Sequence, residues 1–488
     1  MSRNFLPFTL AAAVASSTLA GACGSASPVG PSGGHDAGEF DVFVYDSGTF
    51  PDAAAPRPAP AEDPSERLPG GATTSDDVGP GAFARPVANL AATRRAAYEA
   101  GLQLFQADWV SAPGRVELDG LGPTFNAVAC TSCHHRGGRG PVAAILLRLA
   151  DDVGSSPDAY GIQLQPFGIA AVLGEGIPVR EERPIAFQDA LGRDRSRVDV
   201  RYRVDRLAFG PFPTGTRLSP RIGPALAGQG LLEAIPDAAL GAAADPDDKD
   251  GDGISGRVAW TAGAAGHFGW KSGAVDLPAQ TAGALYEDLG LTSDAHPEER
   301  CPAPQTACRA APHGGTPEVP KARFDALVQM LRLTAVPARR DPGNPEVLRG
   351  RSLFYASGCA GCHTPKQATG RATEPEVAGQ TIWPYTDLLL HDLGAELADR
   401  PADGSAGPEP TDRREGPASP SEWRTPPLWG IGLFPTVHGE QRLLHDGRAP
   451  TVAAAISHHD GEGRSSRLAF ERLTDADQQA LLTFVNSL

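Results

Sequence analysis

Apolar residues recur at helical spacing in three stretches of the chain, and this periodicity predicts three helices. The stretches are residues 90–109, residues 321–335 and a C-terminal stretch that begins near Thr474. Thr474 and Asp477 are suited to cap the last of these helices. Between the first two stretches, Gly and Pro repeatedly interrupt the apolar pattern, which predicts many short segments joined by loops.

The N-terminal region has a different pattern. One positive residue, a short apolar run and a set of small residues predict an export signal over residues 1–22. The sequence Leu-Ala-Gly-Ala-Cys that ends at Cys23 resembles a bacterial lipoprotein box, so Cys23 is a lipidation candidate. Ordinary signal cleavage after Ala22 is the alternative. Residues 23–88 are rich in Gly, Pro and Ala without periodicity, and they predict a disordered tether.

Composition and charge narrow the class of protein. The hydrophobic fraction is 41% and the formal net charge is −16, so the chain lacks the excess of Lys and Arg that nucleic acid binding needs. The apolar run of the export signal is too short to span a bilayer comfortably, and no other stretch qualifies as a transmembrane segment. We therefore expect a periplasmic or cell-envelope protein that meets the membrane only through an N-terminal lipid anchor.

Two Cys-x-x-Cys-His motifs carry the chemistry, and they comprise Cys130, Cys133, His134, Cys359, Cys362 and His363. Two thiols at this spacing can form thioethers with the two vinyl groups of one haem, and the adjacent His then binds the iron. A zinc site would need four ligands, and a redox dithiol would not need the His. The sequence therefore predicts two covalently attached haem c groups.

An internal repeat accompanies these motifs. Gly101-Leu-Gln-Leu-Phe105 precedes the first motif, and Gly350-Arg-Ser-Leu-Phe354 precedes the second. We therefore predict a mostly α fold with two cytochrome c-like haem domains in tandem, with long loops and preceded by the disordered tether. The predicted domains span residues 89–340 and 341–488.

Two further cysteines, Cys301 and Cys308, lie in one Pro-containing loop. Outside the cytoplasm they can form a disulfide, and two free thiols are the alternative.

The sixth ligand of each haem is harder to assign. Met1 and Met330 are the only methionines, and Met330 lies on a predicted helix where a core position is favoured. His/Met ligation is therefore not expected.

The chain resembles a known family, the bacterial di-haem oxidoreductases, which are labelled peroxidases or thiol oxidoreductases and are related to dihaem cytochrome c peroxidases and MauG-like enzymes. The resemblance runs from about residue 98 to residue 488. The segments that carry it are Asp119–Asn126, Gly230–Pro236, Asp250–Arg257, Phe268–Lys271, Tyr385–Gly394, Glu422–Trp429 and Leu443–Arg448.

The resemblance implies axial ligands for the second haem. In the dihaem peroxidases, a turn similar to the one at His445 leads into a helix that ends with a Met ligand, and His459 stands at the equivalent place here. This implies ligation of the second iron by His363 and His459, with a low potential. The alternative is that His459 belongs to a solvated helix end.

Other pocket candidates come from the same resemblance. MauG-like relatives have a run similar to Tyr385–Gly394 near a haem, so Tyr385, Asp387 and His391 are haem-pocket candidates, as is His445. A buried structural histidine is the alternative for His391. For the open iron that peroxide chemistry needs, Glu233, Gln229 and His267 are catalytic candidates. An exposed or helix-capping role is the alternative for Glu233.

An acidic loop contains Asp248, Asp250 and Asp252 at alternate positions, as at the start of an EF-hand, although the closing Glu of that motif is missing. The family relation favours calcium here, and a solvated acidic turn is the alternative.

The leading interpretation is a peroxidase-like oxidoreductase with one electron-transfer haem and one reactive haem. Hydrogen peroxide would be its substrate and a small periplasmic electron-transfer protein its partner. A non-catalytic electron carrier and an oxidase of an organic or thiol substrate are the alternatives.

Overall fold

The computed structural model describes residues 58–114, 117–150, 156–404 and 416–488. The predicted export signal, the lipidation candidate Cys23 and the predicted tether up to residue 57 lie outside these residues. Within them, no helix is both long enough and apolar enough to cross a membrane.

Helices and strands alternate along the described residues. The α-helices are α1 Arg95–Gln106, α2 Cys130–Cys133, α3 Gln229–Glu233, α4 Asp237–Ala243, α5 Leu277–Asp288, α6 Thr306–Arg309, α7 Lys321–Arg332, α8 Pro345–Ala356, α9 Phe434–His438, α10 Val452–Ser457, α11 Arg464–Glu471 and α12 Asp475–Ser487. The strands are β1 Thr124–Phe125, β2 Leu146–Ala150, β3 Phe167–Gly168, β4 Ile177–Gln188, β5 Asp194–Asp205, β6 Arg217–Arg221, β7 Trp260–Thr261, β8 Ala264–Ala265, β9 Gln367–Ala368, β10 Thr381–Ile382, β11 Leu390–Asp392, β12 Arg400–Pro401 and β13 Glu422–Arg424.

Two helix pairs explain the internal repeat. Helix α1 packs against α7, and α8 packs against α12. At each crossing one helix presents a glycine of the repeat. A Cβ on Gly101 would overlap the carbonyl oxygen of Ala326, and a Cβ on Gly350 would overlap that of Ala480. The repeated glycines therefore permit two close helix contacts that any side chain would block.

Each helix pair lies in its own hydrophobic core. The first core surrounds α1, α5 and α7, and it contains Phe105 and Met330. The second surrounds α8 and α12, and it contains Phe354 and Phe484, whose ring centroids lie 5.3 Å apart. Met330 is thus a core residue. The capping prediction for the last helix is confirmed, since the Thr474 side chain accepts a hydrogen bond from the Asp477 amide.

The prediction of a mostly α fold is wrong. Helix accounts for 32% of the structure and strand for 17%, distributed over several small antiparallel sheets. Three strands pair in the order β12-β6-β2, and the others form two-stranded ribbons. The longest ribbon is the hairpin of β4 and β5, in which twelve residue pairs are in register. Its β-branched and aromatic residues recur at every second position, at Val198, Val200, Tyr202 and Val204. This period of two predicts a strand, and the many intervening charges obscured it.

The predicted end of the tether at residue 88 is also wrong. Residues 58–88 pack on the body of the protein through short 3-10 turns. Phe83 is buried and its ring lies 5.7 Å from that of Phe434. The carboxylate of Glu66 is buried between Arg339 and Arg351. Buried ion pairs of this kind require ordered backbone, which the Gly- and Pro-rich composition of the segment did not indicate.

The predicted disulfide is confirmed, because Cys301 and Cys308 are bonded with their Cα atoms 5.6 Å apart. The bridge closes a short loop next to Arg300. The Arg300 guanidinium is buried and donates to Glu287 at 2.6 Å.

Candidate haem sites

The second Cys-x-x-Cys-His motif opens onto a large cavity. Cys359 begins a 3-10 turn directly after Gly358, which has a positive φ of 80° and ends the chain segment that leaves α8. Cys359, Cys362 and His363 all line this cavity, whose empty space is about 1400 Å³ when the open solvent at its mouth is included. Apolar side chains from both sides, among them Phe354 and Leu428, supply most of its wall. The cavity is therefore large and apolar enough for a haem next to the two thiols.

His363 and His459 both line this cavity, and each ring is oriented by a hydrogen bond from Nδ1 to a backbone carbonyl. The Nδ1–H of His363 donates to the Tyr385 carbonyl at 3.0 Å, and that of His459 donates to the Ala455 carbonyl at 2.8 Å. Burial lowers the pKa of both, to about 4 for His363, where His459 adds to the effect. Each is therefore a neutral imidazole whose Nε2 is free, the form that binds iron.

Two buried arginines in the same cavity lack a carboxylate partner within the residues that the structure describes. Burial lowers the pKa of Arg139 to about 9 and that of Arg424 to about 10. The Nε of Arg139 is buried without a hydrogen-bond partner. A buried cation without a counter-charge is costly, and the propionates of a haem would supply one. The residues of this cavity therefore fit a haem.

His391 lies at the cavity wall, where both of its ring nitrogens are near carboxylate oxygens. Its Nε2 is 2.9 Å from an Asp387 oxygen and its Nδ1 is 2.6 Å from a Glu462 oxygen. Burial opposes its charge, but Cys362 and Asp387 raise its pKa well above the usual value. His391 is thus an imidazolium clamped between two carboxylates, 3.5 Å from the Cys362 sulfur. These contacts hold the loop of the second Cys-x-x-Cys-His motif.

Tyr385 and Asp387 act on this loop from outside the cavity. The backbone of Tyr385 has a positive φ of 54°, which turns its carbonyl toward His363. Its side chain lies in the second core, 5.8 Å from Phe354. The Asp387 amide donates to the Cys362 carbonyl at 3.2 Å. The segment therefore positions the proximal His, as a haem-pocket role requires.

The first motif is arranged like the second around its histidine. Cys130 and Cys133 form the helical turn α2, and both remain free thiols. Burial raises their pKa to about 12. The Nδ1–H of His134 donates to the Pro224 carbonyl at 2.8 Å. This leaves Nε2 of His134 available for iron, as at His363.

Neither motif assembles a zinc site. Within residues 58–114, 117–150, 156–404 and 416–488, the one group of three metal-ligating side chains with converging ligand atoms is Asp248, Asp250 and Asp252, whose oxygens lie within 4.8 Å of one another. The structure thus brings the predicted calcium ligands together. The amide and hydroxyl of Ser255, just after this loop, donate to Glu462 at 3.0 and 2.8 Å, which links the loop to the His391 clamp.

Tryptophan and histidine side chains lie between the two sites. Trp270 lines the cavity, and its Nε1–H donates to the Ile222 carbonyl at 2.9 Å. The next residue, Gly223, abuts the His134 ring so closely that a Cβ would lie 2.9 Å from Cε1. His445 also lines the cavity and stacks on Trp423 at 3.8 Å. Trp270 is therefore separated from the His134 ring by one short backbone step.

The three catalytic candidates are not at either site. Glu233 is held by Arg332 at 2.5 Å and accepts from the Leu277 amide at 2.8 Å, so it caps α5. Gln229 donates to the Ala225 carbonyl one helical turn back. Both ring nitrogens of His267 are engaged, by Leu232 and Asp237. Each of these side chains has a structural partner, which favours the structural alternative for all three.

Several residues of the site were missed from the sequence. Glu462 contacts His391 although the two residues are 71 positions apart in the sequence. Its position three residues after His459 was the only local sequence signal for this role. Arg139, Trp270 and Arg424 line the cavity from three separate segments. Nothing in their immediate sequence distinguishes them from other buried side chains.

Comparison with known proteins agrees with this geometry. The sequence profile of the family described as "di-haem oxidoreductase, putative peroxidase" matches residues 65–150 and 212–488. Neither the curated proteins nor the solved structures gave a match. The matched ranges include both Cys-x-x-Cys-His motifs and His459, and they leave out the hairpin of β4 and β5. The chain belongs to the di-haem oxidoreductase family.

Proposed function

We propose that this protein is a c-type di-haem oxidoreductase of the peroxidase kind, with an electron-transfer haem at the second motif and a reactive haem at the first. The observation that carries this proposal is His459. It shares the cavity of His363 and leaves its own Nε2 free. A haem in this cavity would find two neutral imidazoles, those of His363 and His459, to hold its iron, so substrate chemistry would be left to the first site.

Haem iron supplies one-electron chemistry and, with an open position, reduction of peroxide. The side chains of this protein orient and insulate that chemistry. Pro224 and Tyr385 hold the two proximal imidazoles through their carbonyls. Trp270 and the Ile222 carbonyl supply the short connection along which electrons pass from the second site to the first. Arg139 and Arg424 supply positive charge for haem propionates.

The alternatives have less support. Among the described residues, the free thiols are those of the four motif cysteines, so thiol chemistry has no separate nucleophile there. A pure electron carrier would need a sixth protein ligand at the first iron as well. Met330, the one methionine besides Met1, is in the first core, where its sulfur lies 3.5 Å from the Thr334 hydroxyl.

The cellular setting forms part of the proposal. Covalent haem attachment, the Cys301–Cys308 disulfide and the export signal predicted from the sequence support a periplasmic protein with a lipid anchor. The electron donor would be a small periplasmic redox protein.

The test is hydrogen peroxide added to the purified holoprotein in its oxidised and half-reduced states, followed by rapid absorbance and EPR spectroscopy. We expect one high-spin ferric signal to be lost on addition, while a low-spin signal from the second haem persists. A dependence on redox state would show that activation by an electron is required. Two low-spin haems that do not respond to peroxide would overturn the proposal and leave an electron carrier.

We also propose calcium at Asp248, Asp250 and Asp252, each of which brings one carboxylate oxygen to within 4.8 Å of the others. Calcium titration of chelator-treated protein by calorimetry tests this directly. The triple Asp→Asn variant should lose the binding. Equal heats for the variant and the parent protein would show that the loop is only a solvated turn.

A further inference from the structure

The hairpin of β4 and β5 contacts residues around the second haem site. It lies between residues 150 and 212, in the interval that the family profile does not match. Its strands are nonetheless fully paired from Ile177 opposite Asp205 to Gln188 opposite Asp194. The hairpin is anchored to the second haem site along its whole length.

The middle of the hairpin contacts the end of α10 through Arg197. One Nη atom of Arg197 donates to the Ser457 carbonyl at 2.6 Å, and the other pairs with the Glu396 carboxylate. The ring of Phe187 lies 4.9 Å from the guanidinium and fixes it from the hairpin side. Ser457 is the last residue of α10, where carbonyls have no partner within the helix. His459 follows two residues later.

Glu396 extends this contact to the next residue of the turn. The Nδ1–H of His458 donates to Glu396 at 2.6 Å, and His458 is buried. The pKa of Glu396 stays below its usual value despite burial, because His458 and Arg197 both favour the carboxylate. The chain Arg197–Glu396–His458 therefore runs without a break from the hairpin to the neighbour of the predicted ligand.

The tip of the hairpin reaches His459 by a second route. The Ala190 amide donates to the Glu471 carboxylate at 2.8 Å, and Arg193 donates to the Glu471 carbonyl at 2.9 Å. The same carboxylate group accepts from Arg467 at 3.0 Å, and Arg467 donates to the His459 carbonyl at 2.8 Å. Two separate sets of hydrogen bonds thus converge on one turn.

The base of the hairpin is held as well. Arg180 donates to the Asp446 carbonyl at 3.0 Å, next to His445 at the cavity wall. Asp199 of β5 pairs with Arg400 at 2.9 Å. The hairpin is therefore fixed at its base, middle and tip, and it has little freedom to move away from the ligand turn.

We propose that this hairpin is a strap that holds the turn of His458 and His459, so that His459 stays bound to the second iron. Arg197 is its principal positioning residue. This inference rests on the proposed function for the assignment of His459 as a ligand. A ligand whose backbone is fixed on both sides returns to the metal after each dissociation, and an external ligand then replaces it slowly.

The test compares Arg197→Met with Arg203→Met in the ferric holoprotein. Arg203 is a matched control because its partners Glu181 and Asp205 both lie in the hairpin. Cyanide is added, and EPR follows the loss of the low-spin signal that two imidazoles produce. In Arg197→Met we expect about tenfold faster replacement of His459, because the charge-assisted hydrogen bond to the Ser457 carbonyl and the ion pair with Glu396 are both lost. In Arg203→Met, cyanide should replace His459 at the parental rate. The rate in Arg197→Lys should lie between those of Arg197→Met and the parent protein.

A second variant, Arg193→Met, weakens only the route through the tip, and it should accelerate replacement less than Arg197→Met does. This variant also serves if Arg197→Met does not fold. The strap is overturned if the parent protein shows the two-imidazole signal while Arg197→Met and Arg193→Met replace His459 at the parental rate. A parent protein without that signal would overturn the ligation itself, so the two failures are distinguishable.

Discussion

His363 and His459 line the same cavity, and they are close enough for His459 to help lower the pKa of His363 to about 4. Each ring turns its Nδ1–H to a backbone carbonyl, which orients the free Nε2. One imidazole follows a haem attachment motif, and the other lies 96 positions further along the chain (459 − 363). This pairing supports the proposed roles of the two haems, with electron transfer at the second motif and substrate chemistry at the first.

Replacing His459 by Met should raise the midpoint potential of one haem and leave that of the other unchanged. A thioether stabilises ferric iron less well than an imidazole does. Redox titration followed by absorbance measures both potentials. His313→Ala, at an exposed histidine outside the cavity, is the control. Unchanged potentials in His459→Met would show that His459 is not a ligand.

Replacing Trp270 by Phe should slow electron transfer between the haems several-fold, because the hydrogen bond to the Ile222 carbonyl is lost while the ring packing is kept. Reduction of the first haem after rapid reduction of the second, measured by stopped-flow absorbance, reports this step. Trp260→Phe is the control, since Trp260 is 49% exposed on the β7–β8 ribbon. Equal rates in the two variants would place the electron path elsewhere.

Gly350→Ala should destabilise the second core by about 3 kcal/mol, since an added methyl group would overlap the Ala480 carbonyl and the Phe484 Cβ. Denaturant unfolding of the holoprotein, followed by far-ultraviolet circular dichroism, measures the change. Gly343→Ala is the control, because a Cβ there meets nothing within 4 Å. A loss of stability in Gly343→Ala equal to that in Gly350→Ala would contradict the close helix contact.

Glu299 should make stability depend on pH. Burial and the nearby Glu318 raise its pKa to about 8, and one of its oxygens is buried without a partner in the described residues. A carboxyl whose pKa is raised on folding stabilises the fold only while it is protonated. Stability is therefore lost as the pH rises from about 4.5 to about 8.

Glu299→Gln removes this ionisation. At pH 8 it should be more stable than the parent protein by an amount of the order of 3 kcal/mol, and at pH 4.5 the difference should vanish. Urea unfolding at the two pH values measures this. Glu298→Gln, at the exposed neighbour, is the control. A pH-independent difference for Glu299→Gln would mean that Glu299 is ionised in the folded protein.

Much of the chemistry was predictable because it is local in the sequence. The cysteines and the histidine of each Cys-x-x-Cys-His motif lie within five positions, and the Cys301–Cys308 bridge spans 7 positions. Helical periodicity located α1, α7 and α12 to within a few residues. The repeated glycines were visible too, although their purpose was not, since the carbonyls that exclude a Cβ belong to helices far away along the chain.

The catalytic candidates show where local reasoning failed. Glu233 has the residue type that an acid–base role needs, but Arg332 lies opposite it and the α5 amide is in reach. His267 likewise finds two partners. Whether a buried polar group is free for chemistry depends on which partners the fold brings to it.

By itself, the sequence predicted two covalently attached haems and the histidine that follows each pair of thiols, because these bonds would involve neighbouring residues. Only the tertiary structure decided that Glu462 clamps His391, that Arg139 and Arg424 donate to carbonyls and to no carboxylate among the described residues, and that the hairpin reaches the turn of His459. Each of these contacts joins segments distant along the chain. Their energies come from burial and from hydrogen-bond geometry, which no local pattern of residues encodes.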